Sequence, residues 1–232
     1  MSRPDIALAW AADGQALFES TAEKLDDLRG SSRLPGWSRG HVVTHVARNA
    51  EGLCRLLAWA RTGVETPMYV SEAARDADIE AGAARARGEQ LEDLRHAGAA
   101  FTAAAQELSS AQWEATVGTR HGDVPAAFIP WARTRELWLH LVDLDAGVEI
   151  EVIPEDVAVA LIRDVAGQMS SRISAGIELQ LPDGARVACG PETGVPVPVS
   201  GPVQHVAGWL TGRSSGSRLH APYGLPDLPR WL

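Results

Sequence analysis

Apolar side chains recur at helical spacing through the first two-thirds of the chain, and this pattern constrains the fold more than any other feature. Over residues 5–29 they follow a period close to 3.6 residues, at Ile6, Leu8, Ala9, Ala12, Ala16, Leu17, Ala22, Leu25 and Leu28. A second such pattern, over 39–62, follows Ser38, a favourable N-cap residue, and ends at Gly63. Further helices are predicted over about 89–108 and 126–145, and residues 118–125 are predicted as a loop. Four helices with one long crossing connection predict a four-helix bundle.

The long connection, residues 64–88, differs in composition from the helices around it. Pro67 interrupts any helix, residues 68–70 are expected to be extended, and a polar Ala/Arg/Asp run with a short helix follows. Long insertions in compact domains commonly cap a site. We therefore expect this segment to cover part of the bundle.

The composition changes after Gly147. A helix is predicted over 155–173, and residues 177–181 and 186–189 flank a Pro-Asp-Gly turn that predicts a hairpin. A short strand at 195–199 and a last helix at about 202–212 follow. Strands and helices after a purely helical block predict an α+β protein, with a four-helix bundle over 1–150 and a small α/β domain over 151–232.

Charge and cysteine usage restrict the function classes. The formal net charge of −9 argues against nucleic-acid binding, although a few arginines in a pocket would still accommodate an anionic substrate. Cys54 and Cys189 lie far apart in sequence and indicate reduced thiols rather than a disulfide framework. The chain begins without an apolar targeting region and has no continuous apolar run long enough for a membrane span. A cytoplasmic protein is expected.

Two histidine placements predict a metal site. Glu136 and His140 are four residues apart on the predicted fourth helix, and His41 and His45 are four apart on the second. A carboxylate and an imidazole from one helix, with an imidazole from another, suit zinc and leave a position open. The same spacing is common in pairs on solvated helix faces, but the apolar neighbours of Glu136 favour the metal because an unpaired buried charge is costly. Spacing leaves His41 and His45 as alternatives.

Other catalytic motifs are absent from the sequence. It contains no G-x-S-x-G motif, no G-x-G-x-x-G motif after a strand, and no P-loop. Cys54 is predicted to be a small core residue rather than a reactive thiol. Any catalysis would therefore depend on the metal, and a thiol from outside the chain is one possible co-reactant.

Three blocks carry a family resemblance that covers nearly the whole chain. They are G-W-S-x2-H-x3-H-x3-N at 36–49, the segment ETPMYVS at 65–71, and R-x-x-E-x-W-x-H at 133–140. With the C-terminal PRWL, they resemble the mycothiol-dependent maleylpyruvate isomerases. The resemblance implies a DinB-like four-helix bundle joined to a small α/β domain similar to sterol-carrier-like folds. It also implies zinc on His45, Glu136 and His140, and functional roles for Arg75 and Arg213.

The reaction implied by the resemblance is the cis–trans isomerisation of maleylpyruvate to fumarylpyruvate in aromatic catabolism through gentisate. Addition of the mycothiol thiolate, bond rotation and elimination would account for it, with zinc assisting the thiol and the developing enolate. Tyr69 is a candidate proton donor, with a packing role as the alternative. A mycothiol S-transferase and a non-catalytic metal-binding module are the alternative functions. The protein is expected to be a monomer.

Overall fold

The computed structural model describes residues 4–120 and 122–231. His121 and Leu232, the last residue of the PRWL segment, lie outside the described residues. The chain forms two compact units, Met1–Val148 and Glu149–Leu232, and each is considered by itself.

The first unit is built on four long helices, and the predicted bundle is confirmed. They are α1 (Asp5–Glu23), α2 (Arg39–Thr62), α4 (Arg87–Gln106) and α5 (Ile129–Asp143). Helix α2 packs against α4 and α5, and α1 packs against α5 and α4. The long connection contributes a further short helix, α3 (Glu72–Ala83), which packs against α2.

The ends of α2 follow from local sequence. Ser38 precedes the helix in extended conformation, and its Oγ accepts a hydrogen bond from the backbone N–H of His41 at 3.3 Å. In return, Nδ1 of His41 accepts from the backbone N–H of Ser38 at 3.1 Å, which completes a capping box. At the other end, Gly63 adopts a φ of +73°, a conformation that glycine takes without strain.

Helix α1 is shorter than its apolar pattern predicts, because it ends at Glu23 and not near residue 29. Leu28 continues the pattern beyond the helix and is 3% exposed. The Asp27 carboxylate accepts a hydrogen bond from the backbone N–H of Arg29, a local turn that competes with helix. The burial of Leu28 after the end of the helix therefore explains why the apolar pattern predicted a longer helix.

The predicted loop at 118–125 is wrong, because this region contains most of a β-hairpin. Strands β1 (Thr116–Thr119) and β2 (Gly122–Pro125) pair antiparallel, with Val117 opposite Val124. Val117 is fully buried and belongs to the bundle's apolar core. The strands are too short for alternation to be evident in the sequence, so the hairpin depends on this tertiary contact.

A close approach of α1 to α5 depends on Gly14. A Cβ atom at this position would lie 2.9 Å from Nε1 of Trp138, which donates a hydrogen bond to the carbonyl of Trp10 at 3.1 Å. A larger residue at position 14 would therefore displace α1 from α5, the helix that carries Glu136 and His140.

The second unit is a small α/β unit, and the α+β class is confirmed. Helices α6 (Glu155–Met169) and α7 (Val203–Leu210) pack against each other, and α6 also packs against β4 (Arg186–Cys189). Strand β3 (Ile177–Gln180) lies between β4 and β5 (Val197–Val199), antiparallel to the former and parallel to the latter. The predicted hairpin around the Pro-Asp-Gly turn is therefore present. Within the described residues, no helix combines the length and apolar character needed to cross a membrane.

Candidate metal centre

Helices α2 and α5 bring His45, Glu136 and His140 together. The possible ligand atoms of the three side chains all lie within 4.8 Å of one another. Oε2 of Glu136 is 2.9 Å from Nε2 of His45 and 3.3 Å from Nε2 of His140. His45 is buried, and the side chains of Glu136 and His140 are partly buried, so the group is largely shielded from solvent.

A buried carboxylate orients His140. Oδ2 of Asp143 lies 2.9 Å from Nδ1 of His140, and Asp143 is 1% exposed. A carboxylate on Nδ1 keeps the proton on that nitrogen and leaves the Nε2 lone pair available to a cation. Sequence reasoning missed Asp143, although its position three residues after His140 on the same helix is a usable signal.

The charges of the cluster follow from burial and hydrogen bonding. Burial lowers the pKa of the His45 imidazole to about 4. Burial would raise the pKa of Glu136, but hydrogen bonds from His140 and His45 hold it well below its usual range. Burial would lower the pKa of His140, but hydrogen bonds to Asp143 and Glu136 raise it to about 9. The cluster thus contains a carboxylate, a neutral imidazole and an imidazole that must release a proton to hold a cation.

His41, the alternative ligand on α2, has other partners. Its Nδ1 belongs to the capping box of α2, and its Nε2 lies 3.2 Å from Oε2 of Glu80. Its ring stacks against Trp37 at a centroid distance of 6.1 Å. Of the two histidines that spacing could not separate, His45 is the one that the fold brings to Glu136 and His140.

Arg75 reaches the cluster from α3. Its Nη2 donates to Nδ1 of His45 at 3.1 Å, and its Nη1 lies 2.7 Å from Oδ1 of Asp76. The guanidinium carbon is 5.9 Å from the ring centroid of Tyr69. Burial and the Glu136 carboxylate raise the pKa of Tyr69, although Arg75 opposes the shift, so the phenol keeps its proton at neutral pH. The connection at 64–88 therefore contributes two side chains near the three ligand candidates.

Arg213 lies in the second unit, three residues after the end of α7. Its backbone N–H donates to the carbonyl of Gly208 at 2.7 Å, and its Nη1 donates to the carbonyl of Thr211 at 2.7 Å. A functional role for Arg213 remains a prediction.

Sequence reasoning also missed Arg133, a residue of the R-x-x-E-x-W-x-H block. Arg133 is 1% exposed, and its Nη1 donates to the carbonyl of Val46 at 2.7 Å and to Oδ1 of Asn49 at 3.0 Å. Val46 adjoins His45 on α2, and Arg133 lies three residues before Glu136 on α5. These bonds join α5 to α2, the two helices that carry the ligand candidates.

The donor set fits a divalent metal ion. Two imidazole nitrogens and a carboxylate oxygen, supplied by two facing helices, form a type of site found in helical bundles. The Asp143 contact adds the outer carboxylate that commonly accompanies metal-bound histidine. Three protein donors would leave zinc a position for a further ligand.

Comparisons with known proteins identify the family of this chain. The family model described as the mycothiol maleylpyruvate isomerase N-terminal domain matches residues 11–145. A crystal structure of a mycothiol-dependent maleylpyruvate isomerase is 32% identical, with all of both chains covered and a TM-score of 0.90. A crystal structure of a histidine-to-alanine mutant, also titled mycothiol-dependent maleylpyruvate isomerase, is 31% identical, with the same coverage and TM-score. A search of curated proteins gave no match. A family match over more than half of the chain, together with full-length structural similarity, shows that this chain belongs to the mycothiol-dependent maleylpyruvate isomerase family.

Proposed function

We propose that this chain converts maleylpyruvate to fumarylpyruvate in gentisate catabolism, using mycothiol as an external thiol and zinc on His45, Glu136 and His140. Family membership supports the reaction. The observation that supports the metal is the cluster of three donors, with the Asp143 carboxylate behind His140.

The proposed reaction is a reversible thiol addition. The thiolate sulfur bonds to one carbon of the alkene, and the alkene electrons move through the conjugated ketone to its oxygen, which forms an enolate. The former double bond is now single and rotates. Collapse of the enolate expels the thiolate and restores the alkene in the trans form, so no oxidant or reductant is consumed. A bound zinc ion would supply a lowered thiol pKa and compensate the negative charge that develops on the substrate.

Arg75 is proposed to bind a substrate carboxylate. An imidazole that holds a cation through Nε2 carries its proton on Nδ1, so His45 would then no longer accept the hydrogen bond from Arg75. The guanidinium would become available for a bidentate pair with a carboxylate. Arg213 is proposed, from the family resemblance, to bind a second anionic group. Tyr69, which keeps its proton at neutral pH, is proposed to protonate the enolate oxygen and to take that proton back before the thiolate leaves.

The thiol is proposed to come from outside the chain. Burial raises the pKa of Cys54 to about 11, so its thiolate is scarce at neutral pH. Cys189 lies in the second unit, and burial raises its pKa as well. Neither cysteine belongs to the cluster of metal-ligand candidates.

Ultraviolet spectroscopy of maleylpyruvate with the zinc-loaded protein, with and without mycothiol, tests the proposal. We expect conversion to fumarylpyruvate with mycothiol and none without it. No conversion with mycothiol would contradict the isomerase function, and conversion without any thiol would contradict the addition–elimination mechanism. Accumulation of a stable thiol adduct would indicate an S-transferase instead. A Cys54→Ala variant serves as a control and should retain full activity.

We also propose that the protein works as a cytoplasmic monomer. All three proposed ligands belong to one chain, so the proposed metal site needs no second copy. Sedimentation equilibrium at micromolar concentration should give the monomer mass of 24.7 kDa.

A further inference from the structure

Among the described residues, no carboxylate accepts a hydrogen bond from Arg133, although its charge is buried. Arg133 donates hydrogen bonds to the carbonyl of Val46, to Oδ1 of Asn49 and, from Nη2, to Oε1 of Gln15 at 2.6 Å. All three acceptors are neutral. Nε of Arg133 is buried and has no hydrogen-bond partner in the part of the chain that the structure describes. Burial lowers the pKa of Arg133 only to about 10, so the guanidinium remains charged at neutral pH. Buried charges are normally paired, which makes this arrangement informative.

The same side chain lines a cavity of about 130 Å³ between α1, α4 and α5. Side chains from α1 and α4 make its walls largely apolar, among them Leu8, Ala11, Phe101 and Ala105. Exposed residues at the rim, Ala12 and Thr102, indicate that the cavity opens to solvent. A cavity of roughly 150 Å³ with apolar walls admits a molecule of the size of benzene. The space therefore fits a compact organic ligand.

We propose that this cavity binds a small monocarboxylate, with its charged end on Arg133 and its short apolar body between α1 and α4. A planar carboxylate matches the side of a guanidinium that presents Nε–H and an Nη–H together. Inorganic phosphate matches less well, because a second negative charge would face apolar walls without a partner. The site is separate from the three proposed metal ligands, and its existence does not depend on the proposed isomerase activity.

Two carboxylates act on the Arg133 guanidinium through space, and Glu136 has a larger effect than Glu19. Glu19 is the one joined to Arg133 through Gln15, because Nε2 of Gln15 donates to Oε1 of Glu19 at 2.7 Å while Oε1 of Gln15 accepts from Arg133. A carboxylate ligand would therefore approach Arg133 against the field of Glu19. Replacement of Glu19 by glutamine should reduce the repulsion and strengthen binding of the ligand.

Titration of the full-length, ¹⁵N-labelled, zinc-loaded protein with sodium butyrate tests the proposal, with sodium chloride used to hold the ionic strength constant. We expect a saturable shift of the Arg133 Nε–H resonance and of the backbone amides that line the cavity. Butyramide has the same shape but no charge, and it should bind at least about tenfold more weakly because it cannot form the charge-assisted pair. No saturable shift, or equal affinity for butyrate and butyramide, would overturn the proposal.

Variants that fill the cavity test whether butyrate binds inside it. Ala105→Leu fills the interior and should weaken butyrate binding at least about tenfold, and Glu19→Gln should tighten it. Ala12→Leu occludes the exposed rim and tests the same point with less risk to the fold. Ala103→Leu, on the exposed side of α4, is the matched control and should bind like the wild type. Unchanged affinity in a folded Ala105→Leu or Ala12→Leu variant would place butyrate elsewhere and refute the site.

Discussion

Oδ2 of Asp143 lies 2.9 Å from Nδ1 of His140, and both side chains project from the last turn of α5. This contact determines which nitrogen of His140 is available to a cation, although Asp143 itself is not one of the three proposed ligands. Its effect on metal affinity can be separated from the effect of losing a ligand.

Asp143→Asn should lower zinc affinity by about 10- to 100-fold, because the amide holds the Nδ1 proton less strongly and makes His140 a poorer donor. Competition with a chromogenic chelator measures the change, and circular dichroism checks that the fold is retained. Asp13→Asn, on an exposed position of α1, is the matched control. Wild-type affinity in Asp143→Asn would show that the contact does not prepare His140 for metal binding.

His45→Ala should affect zinc binding, whereas His41→Ala should affect the stability of the fold. His45→Ala should lose bound zinc while retaining the helical fold, because it removes one of three donors. His41→Ala should keep its zinc but lose about 1 kcal/mol of unfolding free energy, since it breaks one half of the α2 capping box. Metal analysis and urea denaturation of both variants provide the measurements. Zinc loss confined to His41→Ala would reverse the ligand assignment.

Arg75→Lys should raise KM for maleylpyruvate by about 10- to 100-fold with little change in bound zinc. Lysine keeps the charge but cannot form the two parallel hydrogen bonds that a guanidinium gives to a carboxylate. Steady-state kinetics and metal analysis of the same preparation separate substrate binding from metal loss. Arg61→Lys, an exposed residue paired with Glu107, is the control. An unchanged KM in Arg75→Lys would remove Arg75 from the substrate site.

Alkylation of Cys54 by iodoacetamide should be slow at neutral pH and should accelerate about tenfold per pH unit towards pH 11. Burial raises the pKa of this thiol to about 11, and only the thiolate reacts. The thiolate fraction therefore grows with pH until the pH passes that pKa. Mass spectrometry of a Cys189→Ser background follows the reaction at Cys54 alone. A rate that levels off near pH 8 would show an activated thiol and weaken the argument for an external one.

The parts of this fold that sequence predicts well are those with local causes. The predicted span of α2 is the observed one, because the Ser38 cap and the Gly63 termination are encoded within a few residues of each end. The hairpin around Val117 was missed because its two four-residue strands show no clear pattern in the sequence. They are stabilised by the burial of Val117 against the bundle. The end of α1 was misplaced because Leu28 is buried by tertiary packing outside any helix.

The candidate site also has parts that local sequence predicts and parts that depend on tertiary packing. Helical spacing predicted that Glu136 and His140 lie together on one helix face. The same rule, applied three residues beyond His140, also identifies Asp143. Spacing could not choose between His41 and His45, because that choice depends on which side of α2 packs towards α5. The contact of Arg75 with His45 requires α3 to dock on α2, a long-range arrangement that no local pattern encodes.

His45 and Glu136 are 91 residues apart in sequence. A metal ion held between them would act as a cross-link that closes a loop containing much of the bundle. In the unfolded chain the two donors are far apart, and bringing them together costs loop-closure entropy, so the ion would bind the folded state preferentially and add to its stability by mass action. The group proposed to assist catalysis would therefore also protect the bundle against heat and proteolysis, and chelation would remove both functions together.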